Sequence, residues 1–152
     1  MREILFRGLR TDGRGWAYGA LIFYPESDKK EIYCASKHFN MMEKVEVIPE
    51  TVGQYTGLND INGTKIFEGD IVKVGIKYGF NSELLNEFMK IKNLPDINGI
   101  GLHFTGIIRV DINRGLMFED PASGYKEPMF SRHINIKHLH EGLEVKGNIH
   151  EK

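Results

Sequence analysis

Between Thr51 and Val74 the chain reads TVGQYTGLNDINGTKIFEGDIVKV, two strand-like runs broken by two sharp turns. Asn62-Gly63 supplies positive φ at little steric cost, and Gly69 does the same inside Glu68-Gly69-Asp70. The apolar runs between these turns are too short for helices. A chain that reverses this often is constrained to strands joined by tight connections.

The rest of the sequence extends that pattern. Its 17 glycines favour a turn-rich, strand-rich fold, because each glycine inside a helix costs about 1 kcal/mol. Glu3 to Arg7 predicts a short strand, Thr11-Asp12-Gly13-Arg14-Gly15 a turn, and Trp16 to Tyr24 a second strand, together a hairpin. Alternation puts Trp16, Tyr18, Ala20, Ile22 and Tyr24 on one face of that strand, and Ala17, Gly19, Leu21 and Phe23 on the other. Both faces are mostly apolar, so the strand is expected to be covered on both sides or to lie at an interface. Further strands are expected at 31–35, 45–48, 52–56, 71–76, 102–112, 116–119 and 144–149, with a loop from Asp120 to Pro128. Asn81 to Asn93 is the one helical pattern: Asn81 caps it, Phe80 and Leu85 fit a hydrophobic staple, and Pro95 stops it. Asp-Ile-Asn recurs at 60–62, 96–98 and 111–113 with unequal spacing, which marks turns and not a repeat.

Composition limits function more than it reveals it. A chain of 152 residues makes one domain or two very small ones, and can bury roughly 70% of its unfolded surface without disulfide or metal. A net charge of −1 argues against strong electrostatic binding of nucleic acid. Cys34 is the single cysteine, which suits a reducing cytoplasm. The charged start MREILFRGLR is unlike a signal peptide, and no apolar run approaches the ~20 residues of a membrane span. The expectation is a soluble cytoplasmic protein without membrane contact.

No strong catalytic pattern is present. Asp60, Glu68 and Asp70 could gather round a divalent cation, but Asp60-Ile61-Asn62-Gly63 departs from a calcium loop, with glycine at the fourth position instead of the sixth. Turn chemistry accounts for these residues better, since Asp and Asn bond their own backbone there. His133, His138 and His140 lie close in sequence, and Cys34 with His38 resembles a nucleophile and base, but nothing nearby orients either set. Gly99-Ile100-Gly101 lacks the third glycine of a dinucleotide fingerprint. The sequence therefore predicts no catalytic residue, no metal and no cofactor. It does offer an interface: Arg7, Arg10, Arg14, Trp16, Tyr18 and Tyr24 are the residue types that anchor protein contacts, and arginine beside tryptophan also stacks on bases.

Three blocks resemble the YopX family of phage and prophage proteins. The opening REILFRGLR is similar to the family's start. Gln54-Tyr55-Thr56-Gly57-Leu58, Asp60, Asn62-Gly63 and Glu68-Gly69-Asp70-Ile71-Val72 are similar to its central signature. Val145-Lys146-Gly147-Asn148-Ile149-His150-Glu151 is similar to its close, with Lys146 and His150 replacing an aliphatic and an aromatic residue. The resemblance implies a mainly β fold. Residues 1–56 would form an N-terminal β region. Residues 57–152 would be barrel-like, with a helical insertion over 78–101, or the whole of 1–152 would form one domain. EGDIVKV, TGIIRVD and LMFE also resemble the start of an SH3-like barrel. No activity is assigned to the family. The resemblance and the aromatic strand together imply an accessory, non-enzymatic interaction module that binds a protein partner or itself. A nucleic-acid-binding module and a metal-dependent hydrolase are the alternatives.

Overall fold

The computed structural model describes residues 3–36, 41–76, 102–111, 113–124, 126–128 and 143–151. The Asp12-Gly13 turn folds β1 (Phe6–Leu9) onto β2 (Trp16–Tyr24), and Gly13 sits at φ 75°, where a side chain would be strained. The register pairs Phe6 with Gly19 and Leu9 with Trp16, which sets Arg7 opposite Tyr18. β3 (Lys29–Ala35) and β4 (Met42–Val47) follow as antiparallel neighbours. β4 then returns to β1: Arg10 bridges Val47, and the Ile48 N–H donates to the Leu9 carbonyl at 2.8 Å. These four strands thus curl round a core of Ala17, Ile32, Cys34, Val45 and Val47, against which Phe6, Leu21 and Val52 pack.

A single 3-10 turn, Pro49–Thr51, leads into β5 (Gly53–Asn59), which pairs with the other side of β1. β6 (Lys65–Phe67) completes a six-stranded sheet in the order β4-β3-β2-β1-β5-β6. A second sheet holds β7 (Asp70–Ile76), β8 (Leu102–Asp111), β9 (Gly115–Glu119), β10 (Lys126–Pro128) and β11 (Leu143–Asn148), in the order β10-β9-β8-β7-β11. Its core is Ile66, Val72, Ile108, Leu116 and Leu143, with Leu58, Phe118 and Val145 packed around them. Each such aliphatic side chain contributes about 1.5–3 kcal/mol when fully buried.

Leu58 and Ile66 lie on β5 and β6, so the β5–β6 hairpin is hydrogen-bonded into the first sheet and packed into the core of the second. The division expected after residue 56 falls inside β5. The hairpin turn also covers the outer edge of β11: the Val145 N–H donates to Asp60 Oδ2 at 3.1 Å, and the Ile61 N–H donates to the Leu143 carbonyl at 3.0 Å. A strand edge capped this way cannot template pairing with another chain.

The fold is mainly β, as the turn pattern predicts. β2 matches its expected span residue for residue, because the run is rich in aromatic residues and holds no charged or amide side chain. β10 appears where a loop is expected: Lys126, Glu127 and Pro128 show no apolar alternation and are held in register only by β9. The helix expected at 81–93, the insertion at 78–101, Gly99-Ile100-Gly101, His38, His133, His138 and His140 lie outside the described residues. Among the described residues no helix is long and apolar enough to cross a membrane.

Candidate functional site: a polar joint between the sheets

The joint is built from one side chain on each of several strands. Arg7 on β1 points from the first sheet to Asp70, the first residue of β7 in the second, and the two form an ion pair. Both are buried, with Asp70 fully so. The other carboxylate oxygen of Asp70, Oδ2, accepts the Phe67 N–H at 2.8 Å, tying the strand end to the Glu68-Gly69 turn. Asn148 on β11 adds a longer contact, from Nδ2 to Oδ1 of Asp70 at 3.4 Å. Burial is the strongest influence on Asp70 and raises its carboxyl above the ordinary range, against the opposing pull of the Phe67 N–H, Arg7 and Asn148.

Two rings flank the Arg7 guanidinium. Its central carbon lies 4.4 Å from the Trp16 ring centroid and 4.7 Å from that of Phe67. Cation–π contacts at a desolvated site are worth about 2 kcal/mol, which offsets part of the cost of burying the charge. Phe67 in turn meets Tyr18 edge-on at 5.7 Å and Tyr55 at 5.6 Å. The Trp16 indole N–H leaves this stack and donates to Glu151 Oε1 at 2.8 Å.

Around this centre the backbone is pinned by turns. The Gly69 N–H donates to the Ile108 carbonyl at 2.8 Å, while the Gly69 carbonyl accepts the Ile149 N–H at 3.1 Å. Gly69 holds φ 84°, and Gly147 stands at φ 153° in the β11 bulge between Val145 and Gly147. At the hairpin tip, Asp60 Oδ1 accepts the N–H groups of Asn62 and Thr64 at 2.8 Å each. Burial pushes the Asp60 carboxyl up, but the N–H groups of Thr64, Val145 and Asn62 outweigh it and hold the group below the ordinary carboxylate range.

The family model described as YopX protein matches residues 5–152. The chain belongs to the YopX family. No curated protein matches it.

In this YopX chain the central signature and the closing block meet in space, because Asp70 and Asn148 share the joint with Arg7 from the opening block. The signature residues between them bond to neighbouring side chains and backbone or hold turns. Tyr55 is buried and its hydroxyl donates to Asn59 Oδ1 at 2.7 Å; Thr56 Oγ1 donates to the Ile66 carbonyl at 2.8 Å and accepts the Leu58 N–H at 3.2 Å. The Gln54 carbonyl accepts the Glu68 N–H at 3.0 Å, and Gly57 and Gly63 take φ 86° and 81°. Asp60, Glu68 and Asp70 do not converge: among the described residues no three His, Cys, Asp or Glu side chains group as a cation would require. Cys34 is buried in the first core, and burial pushes its thiol up.

The expected interface residues do not share one environment. Arg7 is inside the joint. Arg10 is bonded to Asp12 through Nε at 2.9 Å and Nη2 at 2.7 Å, and this bond lowers the Asp12 carboxyl to about 2. Arg14 is exposed, with Asp12 at 3.8 Å. Tyr24 donates to Glu31 at 2.9 Å, and Tyr18 is half exposed on the outer face of β2. Sequence reasoning did not bring Arg7, Asp70 and Asn148 together, because 63 and 78 residues separate the bonded partners and no local spacing signals a pairing that long.

Proposed function

We propose that this YopX chain is a non-enzymatic interaction module of the accessory kind encoded by phages and prophages, acting in the host cytoplasm by associating with a second copy of itself. One observation carries this reading. Tyr18, Tyr33 and Met42 are exposed by 48%, 41% and 49% on the outer face of the first sheet. The register joins them: Ala20 lies opposite Tyr33 and Ala35 opposite Met42, with Ala20 and Ala35 also exposed. Adjacent cross-strand positions make one patch, and tyrosine and methionine are enriched where proteins meet. Its rim carries both signs, with Lys29 paired to Glu31 at 3.0 Å and to Glu46 at 3.3 Å, and Lys44 opposite Tyr33. A patch with mixed charges round its edge suits an isologous contact, where each rim meets its own complement.

The other readings draw less from the geometry. A nucleic-acid surface would rely on Arg14, since Arg7 and Arg10 already hold carboxylates. A hydrolase would need carboxylates that Asp60 and Asp70 have committed to N–H groups and to Arg7. Light scattering at micromolar concentration tests the proposal. The expected result is a dimer or larger species that Tyr33→Lys returns to monomer without lowering the melting temperature. A monomeric wild-type protein overturns it.

A further inference from the structure

We infer that residues 149–151 form a displaceable strap over Trp16, whose release bares that side chain at the end of the face through which a second copy docks; the docking half of this statement rests on the function proposed above. Trp16, Tyr18 and Ala20 lie on the same outer face of β2, so an uncovered Trp16 continues the exposed patch directly.

The bonding pattern separates strap from anchor. Asn148 is buried, holds Asp70, and follows the Gly147 bulge. Beyond it the turn folds back on that anchor: the Glu151 N–H donates to the Asn148 carbonyl, the His150 N–H to Asn148 Oδ1, and the Asn148 N–H to Glu151 Oε2, each at 3.0 Å. Among the described residues two further bonds reach beyond Asn148, from the Ile149 N–H to the Gly69 carbonyl and from the Trp16 indole to Glu151 Oε1. Glu151 is exposed, so water replaces its bond readily, whereas the Asn148 anchor has no such exchange. Segments at the low-stability end of a fold open independently of its core, and here the Glu151 carboxylate that holds both the Trp16 indole and the Asn148 N–H stands in solvent.

Trp16 is the single tryptophan of the chain, so its fluorescence reports this one position, where the ring meets Arg7 and the indole N–H meets Glu151. Acrylamide quenching and native-state amide exchange, both at concentrations too low for association, test the inference without depending on self-assembly. Glu151→Ala should raise the quenching constant about two-fold or more while the thermal transition stays cooperative. In the wild type, the Ile149 amide should exchange at least about ten-fold faster than the Phe67 amide, as expected for a sub-global opening. Unchanged quenching in a folded Glu151→Ala protein, or Ile149 and Phe67 amides exchanging together, overturns the strap. If the variant does not fold, the wild-type exchange comparison decides. A monomeric protein that still shows both signatures refutes the docking face and keeps the strap.

Discussion

Arg7 and Asp70 face each other across the joint of the two sheets as a buried ion pair, with Asp70 also held by the Phe67 N–H and Arg7 lying between Trp16 and Phe67. Such a pair stabilises little in net terms, because desolvation consumes most of the attraction, but removing one partner is costly. Arg7→Met leaves Asp70 buried and unpaired, and should lower stability at neutral pH by about 3–5 kcal/mol. The loss should shrink on acidification. Burial already raises Asp70 above its unfolded value of about 3.9, and losing Arg7 raises it further. A raised carboxyl contributes stability below the unfolded value and loses it as pH rises through the folded one. Urea titrations from pH 4 to 8 check this. A loss under about 1 kcal/mol, or one independent of pH, would count against the joint. Arg7→Met with Asp70→Leu should recover most of the loss, since an apolar pair of similar volume needs no desolvation.

Asp60 has the opposite sign. Its carboxyl is held below the ordinary range by three N–H groups, so its contribution is present above about pH 3.9 and fades as pH falls through the lowered folded value. Asp60→Asn should cost about 1–3 kcal/mol at neutral pH, because an amide nitrogen would face one or more N–H donors. It should also flatten the acid limb of the stability curve. An acid limb as steep in the variant as in the wild type would place that pH dependence on other carboxylates, such as Asp12 and Glu119, both also lowered.

The sheets were far more legible in the sequence than the joint. β2 could be read because nine consecutive residues, WAYGALIFY, are apolar or aromatic and end at Pro25. The turns at Gly63 and Gly69 could be read because only glycine takes their φ without strain. Arg7 could not: in a stretch with Arg2, Arg10 and Arg14 it looks like one more solvated cation, and its burial depends on an aspartate 63 residues away. β pairing is non-local, so which strand covers which face is decided by contacts that no window along the chain contains. The exposed Tyr18 was ambiguous for the same reason, since the same residue type fills cores and interfaces.

Two glycines should respond differently to the same change. A Cβ at Gly19 would lie 2.1 Å from the Tyr33 carbonyl oxygen, and that backbone is fixed by the β2–β3 ladder. Gly19→Ala should cost about 1–3 kcal/mol, which lowers the melting temperature by about 2–4 °C for each kcal/mol in a chain of this size. A Cβ at Gly106 would lie 2.2 Å from Cζ of Phe118, the far end of a half-buried ring that can swing aside. Gly106→Ala should therefore cost less than Gly19→Ala. Thermal melts of the two variants decide, and the reverse order would mean that Phe118 is more tightly fixed than its partial burial implies.

Thr51 offers a test of how the first four strands close. It is buried, its Oγ1 accepts the Leu9 N–H at 2.9 Å, and the same hydroxyl donates to the Ile48 carbonyl at 2.7 Å. The Ile48 carbonyl keeps the Thr51 N–H at 3.0 Å if the hydroxyl is lost, whereas the Leu9 N–H has no such second partner among its described bonds. Thr51→Val preserves shape and removes the acceptor, so it should cost about 1–3 kcal/mol through that partly buried donor. Thr51→Ser keeps the hydroxyl and should cost less. In native-state exchange the Leu9 amide should lose protection in the valine variant while the Ile48 amide, donated to the Leu9 carbonyl, keeps most of its own. Equal stability of the valine and serine variants would show that the return of β4 to β1 rests on the backbone bonds at Ile48 and Val47 and not on the threonine.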